Sequence, residues 1–273
     1  MRPTVAILGA GSIGEIFAEG LLRAGWKEDE LVMAARRPDR AKEAHRRTGV
    51  ETLLDVAAAA KGRDVVMVSV KPKDVPSVLE AIAGVTTPDQ VVISVAAGVP
   101  IATLEKALPG IPVIRSMPNT PAAVSEGMTA YCAGRHALDE HVARADEVLS
   151  AVGETISLSE DLLDAVTAVS GTGPAYVFLL AEALTEAAIR EGLPHHAAEK
   201  LVHQTVRGSG VLLSMSDKSA FRLRSEVTSP GGTTAAAMHV LEDKGFRALV
   251  EDAVRAATQR SQELGATAAP KED

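Results

Sequence analysis

Residues 9–14 read Gly9-Ala-Gly11-Ser-Ile-Gly14, directly after the β-branched run TVAIL (4–8) and directly before a helical pattern from Ile16 to Ala24. Three glycines at this spacing allow a tight turn, a close approach of backbone to a bound anion, and close packing of the helix on the strand. A helix that starts there presents unpaired N–H groups and the positive end of its dipole to the turn. Strand, glycine turn and helix at the start of a chain therefore constrain the adjoining residues to a parallel sheet with helical crossovers. The later runs agree. LVMAA (31–35), DVVMVSV (64–70), VVISV (91–95) and PVIRS (112–116) are nearly continuous apolar segments, as expected for parallel strands buried on both faces. Helical patterns such as Val75 to Ile82 lie between them. This alternation predicts an α/β fold with a Rossmann-type doubly wound sheet. Weaker strands are expected near MTAYC (128–132) and ETISL (154–158).

After about residue 160 strand signals stop. Helical stretches take over, punctuated at Gly171-Thr-Gly-Pro174, Gly192-Leu-Pro194, Gly208-Ser-Gly210, Ser229-Pro-Gly-Gly232 and Gly245. The expected division is 1–160 for the nucleotide domain and 161–273 for an all-α C-terminal dimerisation domain. Residues 175–191, AYVFLLAEALTEAAIRE, are apolar around much of their circumference at the start, and such a helix is normally buried on several sides. In the last helix Phe246, Leu249, Val250, Ala253, Val254 and Ala257 form one amphipathic stripe. So apolar a helical half is expected to pack against a second copy of itself, the alternative being that it packs on the first domain. Hydrophobic residues make up 46% of the chain but aromatics only 3%, so the core must be aliphatic and Ala-rich.

A net charge of −8 with no long basic run argues against a nucleic-acid partner. The local cluster Arg36, Arg37, Arg40, Lys42, Arg46 and Arg47 needs its own explanation. One cysteine, Cys132, excludes an internal disulfide framework and reads as a small buried residue. No signal peptide is recognised, and no uninterrupted apolar stretch reaches the ~20 residues of a membrane span. A cytoplasmic protein with no membrane partner is expected. The last residues, ATAAPKED, read as a polar tail.

The turn Gly9, Gly11, Ser12, Ile13 and Gly14 is the expected dinucleotide pyrophosphate site. The end of the second strand decides which dinucleotide. An acid there binds a ribose 2′-OH, whereas a 2′-phosphate wants cations. The chain has Ala35-Arg36-Arg37-Pro38, and arginine binds phosphate oxygens bidentately. NADPH is the expected cofactor, with NADH as an alternative; a solvated basic surface is the other reading of the two arginines. Val70, Lys71 and Pro72 end the third recognised strand, and Ala97 and Gly98 follow the fourth, at the carboxyl ends where ligands sit in open α/β sheets.

A second glycine turn lies in VTSPGGTT (227–234). Gly231 and Gly232 can free their amides, and Thr233 and Thr234 can cap the following helix. The result is either an anion cradle or an ordinary helix cap. No metal site is nominated: the seven histidines are scattered, and His195-His196 lacks a further ligand.

GAGSIG, VKP, SVAAG, RSMPNTP (115–121), DAVTAVSGTGPAYVF (164–178) and VTSPGGTT together resemble the pyrroline-5-carboxylate reductase family, in order from about residue 4 to 265. The resemblance implies reduction of 1-pyrroline-5-carboxylate to L-proline by NAD(P)H, the last step of proline biosynthesis. It implies a homodimer through the helical domain, with dimers assembling further into rings. On this reading Ser229, Gly231, Gly232 and Thr233 hold the substrate carboxylate, Ser170 and Thr172 line the pocket, and Asn119 joins the cofactor-binding residues. Thr234 hydrogen-bonds the imine nitrogen and helps deliver its proton. A reductase of another imine, or a non-catalytic NADP-binding redox sensor, is the alternative. Two positions depart from the family pattern. Ala220 stands where the family usually has Pro, which would loosen a loop. Leu54-Asp55-Val56 lacks an Asn common near the adenine ribose, which casts doubt on how the ribose is held.

Overall fold

A computed structural model of the chain describes residues 2–268. The expected polar tail falls mostly on 269–273, outside the described residues. By contacts the chain forms two compact units, one from Met1–Thr172 with the chain from Ala257 on, the other Gly173–Ala256.

The first unit is built on an eight-stranded sheet of order β3-β2-β1-β4-β5-β6-β7-β8. Its strands are β1 Val5–Leu8, β2 Leu31–Ala34, β3 Thr52–Leu53, β4 Val65–Val68, β5 Val91–Ser94, β6 Val113–Met117, β7 Gly127–Ala133 and β8 Gly153–Ser157. Every residue of β1, β2, β4 and β5 is buried, because helices cover both faces. Helices α1 Ser12–Arg23, α2 Pro38–Thr48 and α6 Asp139–Leu149 supply Phe17, Leu21, Ala44 and Val148 to one core layer with Ile7, Met33 and Ile93. Helices α3 Val56–Ala60, α4 Val75–Ile82, α5 Ile101–Ala107 and the short α7 Leu163–Val166 supply Ala60, Leu79, Leu104 and Leu163 to the other, with Leu8 and Val66. The sheet is parallel except where β7 runs antiparallel to β6, Arg115 facing Cys132. A π-helical turn over Thr167–Gly171 follows α7.

The second unit holds α8 Gly173–Arg190, α9 His195–Met215, α10 Ala220–Glu226, α11 Thr233–Asp243 and the start of α12 Phe246–Ala268. The break expected at Gly208-Ser-Gly210 does not occur: α9 runs through it, and no atom outside the local helix approaches either missing Cβ. Each glycine costs the helix about 1 kcal/mol without ending it. Among the described residues of this unit only Ala198 and Val202 are buried. Helix α8, expected to be buried on several sides, buries no residue within its own chain. The helical run Glu160–Arg190 is in fact long and apolar enough to cross a bilayer by length and composition, at mean hydropathy 1.3, with 11% of that window buried.

Candidate functional site

The turn after β1 is held by backbone geometry that only glycine supplies. Gly9 has φ +124°, and a Cβ there would lie 2.9 Å from Ser69 C and Val70 N at the end of β4. A Cβ on Gly14 would fall on the Gly9 carbonyl oxygen, so the third glycine lets α1 pack onto the turn. Gly11 is the N-cap of α1 and contributes no capping side chain. The first-turn amides of Ser12, Ile13 and Gly14 therefore have no intrahelical acceptor and no capping oxygen. Such a cradle fits a pyrophosphate.

A cleft of ≈ 570 Å³ opens beside the turn, and Gly9, Gly11, Arg36, Arg37, Val70 and Lys71 all line it. Arg36 has its side chain 85% exposed, 3.7 Å from Asp74, and Arg37 lies 3.5 Å from Asp39. Neither guanidinium is spent on a buried partner. The rest of the basic cluster is partly accounted for: Arg40 and Arg47 pair with the buried Glu15 at 2.6 and 3.0 Å. Leu54, just after β3, and Val56, the first residue of α3, stand on the cleft wall with Asp74 from the turn before α4; the sequence marked the first two only through the departure at 54–56, and no motif marks Asp74. Asp55, where the family pattern has Asn nearby, caps α3 by accepting from Ala57 N and Ala58 N.

Other expected residues lie off this wall. Pro72 lines a neighbouring hollow with Val99 and Thr103. Gly98 has φ +73°, the left-handed conformation that makes glycine a structural demand there, and a Cβ would meet Gly265 N of α12 at 3.4 Å, an ordinary contact. Asn119 accepts from Met128 N at 2.8 Å and donates to Ser170 O at 3.2 Å. Its side chain ties RSMPNTP to the π-turn, so both ends of its amide already have protein partners. Thr172 Oγ1 donates to Thr167 O at 2.9 Å, closing the same π-turn. Turns of this type recur at functional sites.

The second unit carries the other glycine turn. Gly231 has φ +70°, a left-handed conformation that favours glycine. Gly232, and not a threonine, is the N-cap of α11, and no side chain caps the helix. Thr233 and Thr234 are its first two residues, so the capping role expected for them is corrected. The Gly232 amide is also not free, since it donates to Ser229 O at 3.1 Å. A Cβ on Gly232 would strike Ser229 Oγ. The turn therefore presents the first-turn amides of α11, beginning with Thr233 and Thr234, and the Ser229 hydroxyl. Ala220 is the first residue of α10, a position that tolerates Pro because its N–H is unpaired in any case. Ser219 caps that helix by accepting from Arg222 N at 3.3 Å, so the Ala does not loosen its start.

Cys132 is buried on β7, and burial, aided by the Glu160 carboxylate, pushes its thiol up to about 12. It has no nucleophilic character at neutral pH.

Comparison with known proteins gives two family matches. A family described as pyrroline-5-carboxylate reductase dimerisation matches residues 160–264, and one described as NADP oxidoreductase, coenzyme F420-dependent, matches residues 4–98. A pyrroline-5-carboxylate reductase of Mycobacterium tuberculosis is 42% identical, over 96% of this chain and 97% of its own length. The structure of a pyrroline-5-carboxylate reductase from Coxiella burnetii superposes with TM-score 0.91 at 35% identity, covering 97% of this chain and 99% of that one. A Plasmodium falciparum pyrroline carboxylate reductase with NADP bound gives TM-score 0.86 at 29% identity, covering 96% and 98%.

Proposed function

The chain belongs to the pyrroline-5-carboxylate reductase family, and from that premise we propose how its residues divide the work of the reaction. The enzyme is an NAD(P)H-dependent oxidoreductase that reduces 1-pyrroline-5-carboxylate to L-proline, the last step of proline biosynthesis. The cofactor, when bound, supplies a hydride to the imine carbon. The glycine turn 9–14 and the first turn of α1 hold the pyrophosphate, and Arg36 and Arg37 hold the 2′-phosphate. Val70, Lys71 and Pro72, with Ala97, Gly98 and Asn119, shape the ground on which the reactive ring lies.

The substrate's two demands are orientation of a carboxylate and one proton on nitrogen. We assign Ser229, Gly231, Gly232 and Thr233 to the first, with Ser229 Oγ and the open amides at the start of α11 available to one small anion and the helix dipole favouring it. The uncapped start of α11 is the observation that carries this assignment. Thr234 meets the second by hydrogen-bonding the imine nitrogen and relaying its proton. We assign Ser170 and Thr172, at the π-turn, as residues that line the substrate pocket. A protonated imine is already a strong electrophile, so positioning and exclusion of water carry most of the catalysis.

We assign residues 1–160 to NADP binding and 161–273 to dimerisation and substrate binding. The exposed apolar surface of α8 supports a homodimer through the helical part, assembling further into a ring of dimers. The enzyme works in the cytoplasm, without nucleic acid or membrane. The test monitors NADPH oxidation at 340 nm with 1-pyrroline-5-carboxylate. Thr234→Ala is expected to lower kcat about 10- to 100-fold, the range of general acid–base assistance, and to leave NADPH affinity unchanged. Wild-type turnover and substrate affinity in that variant would remove Thr234 from the mechanism.

A further inference from the structure

The loop that carries Arg36 and Arg37 is anchored at both ends to one residue of the glycine turn. At its start, Ala10 N donates to Ala34 O at 3.0 Å. At its end, Arg40 in the first turn of α2 donates from Nε to Ala10 O at 2.7 Å. The rest of the Arg40 guanidinium is fixed as well. Nη2 lies 2.6 Å from Glu15 Oε1 and Nη1 lies 2.7 Å from Glu43 Oε2. Glu15 sits in the first turn of α1 with its side chain only 4% exposed. An isolated carboxylate so buried is strongly unfavourable, and here Arg47 closes its other oxygen at 3.0 Å. The pairing also neutralises a negative charge beside the turn that receives a pyrophosphate.

We propose that Arg40, held by Glu15, is a positioning residue that sets discrimination between NADPH and NADH by fixing the Arg36–Arg37 loop against the glycine turn. This rests on the assignment of Arg36 and Arg37 to the 2′-phosphate. A pyrophosphate bound at residues 9–14 fixes where the 2′-phosphate falls, and two exposed guanidiniums reach it only if their loop keeps its distance from Ala10. With both loop ends returning to Ala10, that distance is built into the apoprotein. Preorganisation of this kind raises affinity by removing the cost of ordering the loop on binding.

The test measures equilibrium dissociation constants of NADPH and NADH by nucleotide fluorescence, with the melting temperature as a control on folding. The wild type is expected to prefer NADPH. Glu15→Gln keeps Arg40 but removes the charge that orients it, and is expected to lower the Kd(NADH)/Kd(NADPH) ratio about tenfold, or 1.4 kcal/mol, chiefly by weakening NADPH. Arg40→Met should lower it at least as far. Because Arg40→Met leaves a buried carboxylate less well paired, the double variant Glu15→Gln/Arg40→Met provides a folded alternative with the same expected loss. If Glu15→Gln keeps or raises the ratio while Arg40→Met lowers it, Arg40 touches the phosphate itself and the positioning role is overturned. A wild-type preference that survives all three variants overturns this inference alone. A wild type without preference overturns the reading of Arg36 and Arg37 and this inference with it.

Discussion

The sheet unit and the helical unit spend similar aliphatic residues in opposite ways. In β1, Val5, Ala6, Ile7 and Leu8 are all 0% exposed; in α8, Phe178, Leu179 and Leu180 are 66%, 65% and 46% exposed. The difference lies in layers. The sheet receives helices of its own chain on both faces and closes its core locally. Helix α8 finds no layer of its own chain to bury a single residue. An apolar surface of this kind marks an interaction site, and the match to a reductase dimerisation family supports oligomerisation through this part of the chain. On the proposed homodimer, stability of the first unit is a property of one chain, whereas that of the second depends on protomer concentration.

The largest effect that breaks or confirms this contrast comes from charge in α8. In the proposed homodimer, Phe178→Glu and Leu179→Glu would each remove an apolar side chain from the interface once per protomer. At roughly 1.5–3 kcal/mol per side chain, the dimer should weaken on the order of 1,000-fold, and sedimentation should show smaller species with lost turnover. In the sheet, Ile93→Ala should cost about 2–5 kcal/mol through its cavity and lower the melting midpoint without changing the sedimenting mass. Unchanged mass in the α8 variants, or dissociation in Ile93→Ala, would overturn the division.

The same contrast governs what could be read without coordinates. Strands β1, β2, β4 and β5 were legible because burial on both faces leaves an unbroken apolar run. Thr52–Leu53 was not, since two residues carry no periodicity. Glycines 9, 11 and 14 were legible because their spacing is itself the geometry. Arg40 on Glu15 was not, because it depends on how α1 and α2 face each other across the turn. Gly232 replacing the threonines as cap of α11 is a shift of one residue, within the usual uncertainty of helix ends, yet it decides which amides are open. Apolarity announces a surface that packs, but not against what, and α8 is the case in point.

Polar contacts follow the division with smaller stakes. In the first unit Asp64 Oδ2 accepts from Thr4 N at 2.7 Å and from Thr4 Oγ1 at 2.8 Å. Burial pushes this carboxyl up, but the Thr4 bonds outweigh it and hold it below its ordinary value. A depressed folded pKa gives stability that is present above the unfolded pKa and lost as pH falls through the folded one. Asp64→Asn should therefore lower the melting midpoint at pH 7, by about 1 kcal/mol in stability, and the gap from wild type should close as pH drops below about 4. In the second unit Glu226 is held below its ordinary value by Lys218, at 2.9 Å, and by Arg222, at 3.0 Å. All three side chains face solvent, so Glu226→Gln should leave the midpoint unmoved at any pH. Equal shifts in the two variants would erase the distinction between the units at this level.

The smallest expected effect sharpens the contrast furthest, because it reports on one unit alone. Cys132 is the chain's one thiol, 5% exposed on β7, with its pKa pushed up to about 12 by burial. At pH 8 about one thiol in 10,000 is ionised, and no reagent reaches it without opening the sheet. Cys132→Ser should leave turnover unchanged. Iodoacetamide should label Cys132 only at the rate at which the first unit unfolds, and that rate should rise in Ile93→Ala. In Phe178→Glu, whose defect lies in α8, Cys132 should stay as protected as in the wild type even after the dimer has come apart. Rapid labelling there would mean that the sheet borrows its stability from the second copy, and that the first unit does not close its core alone.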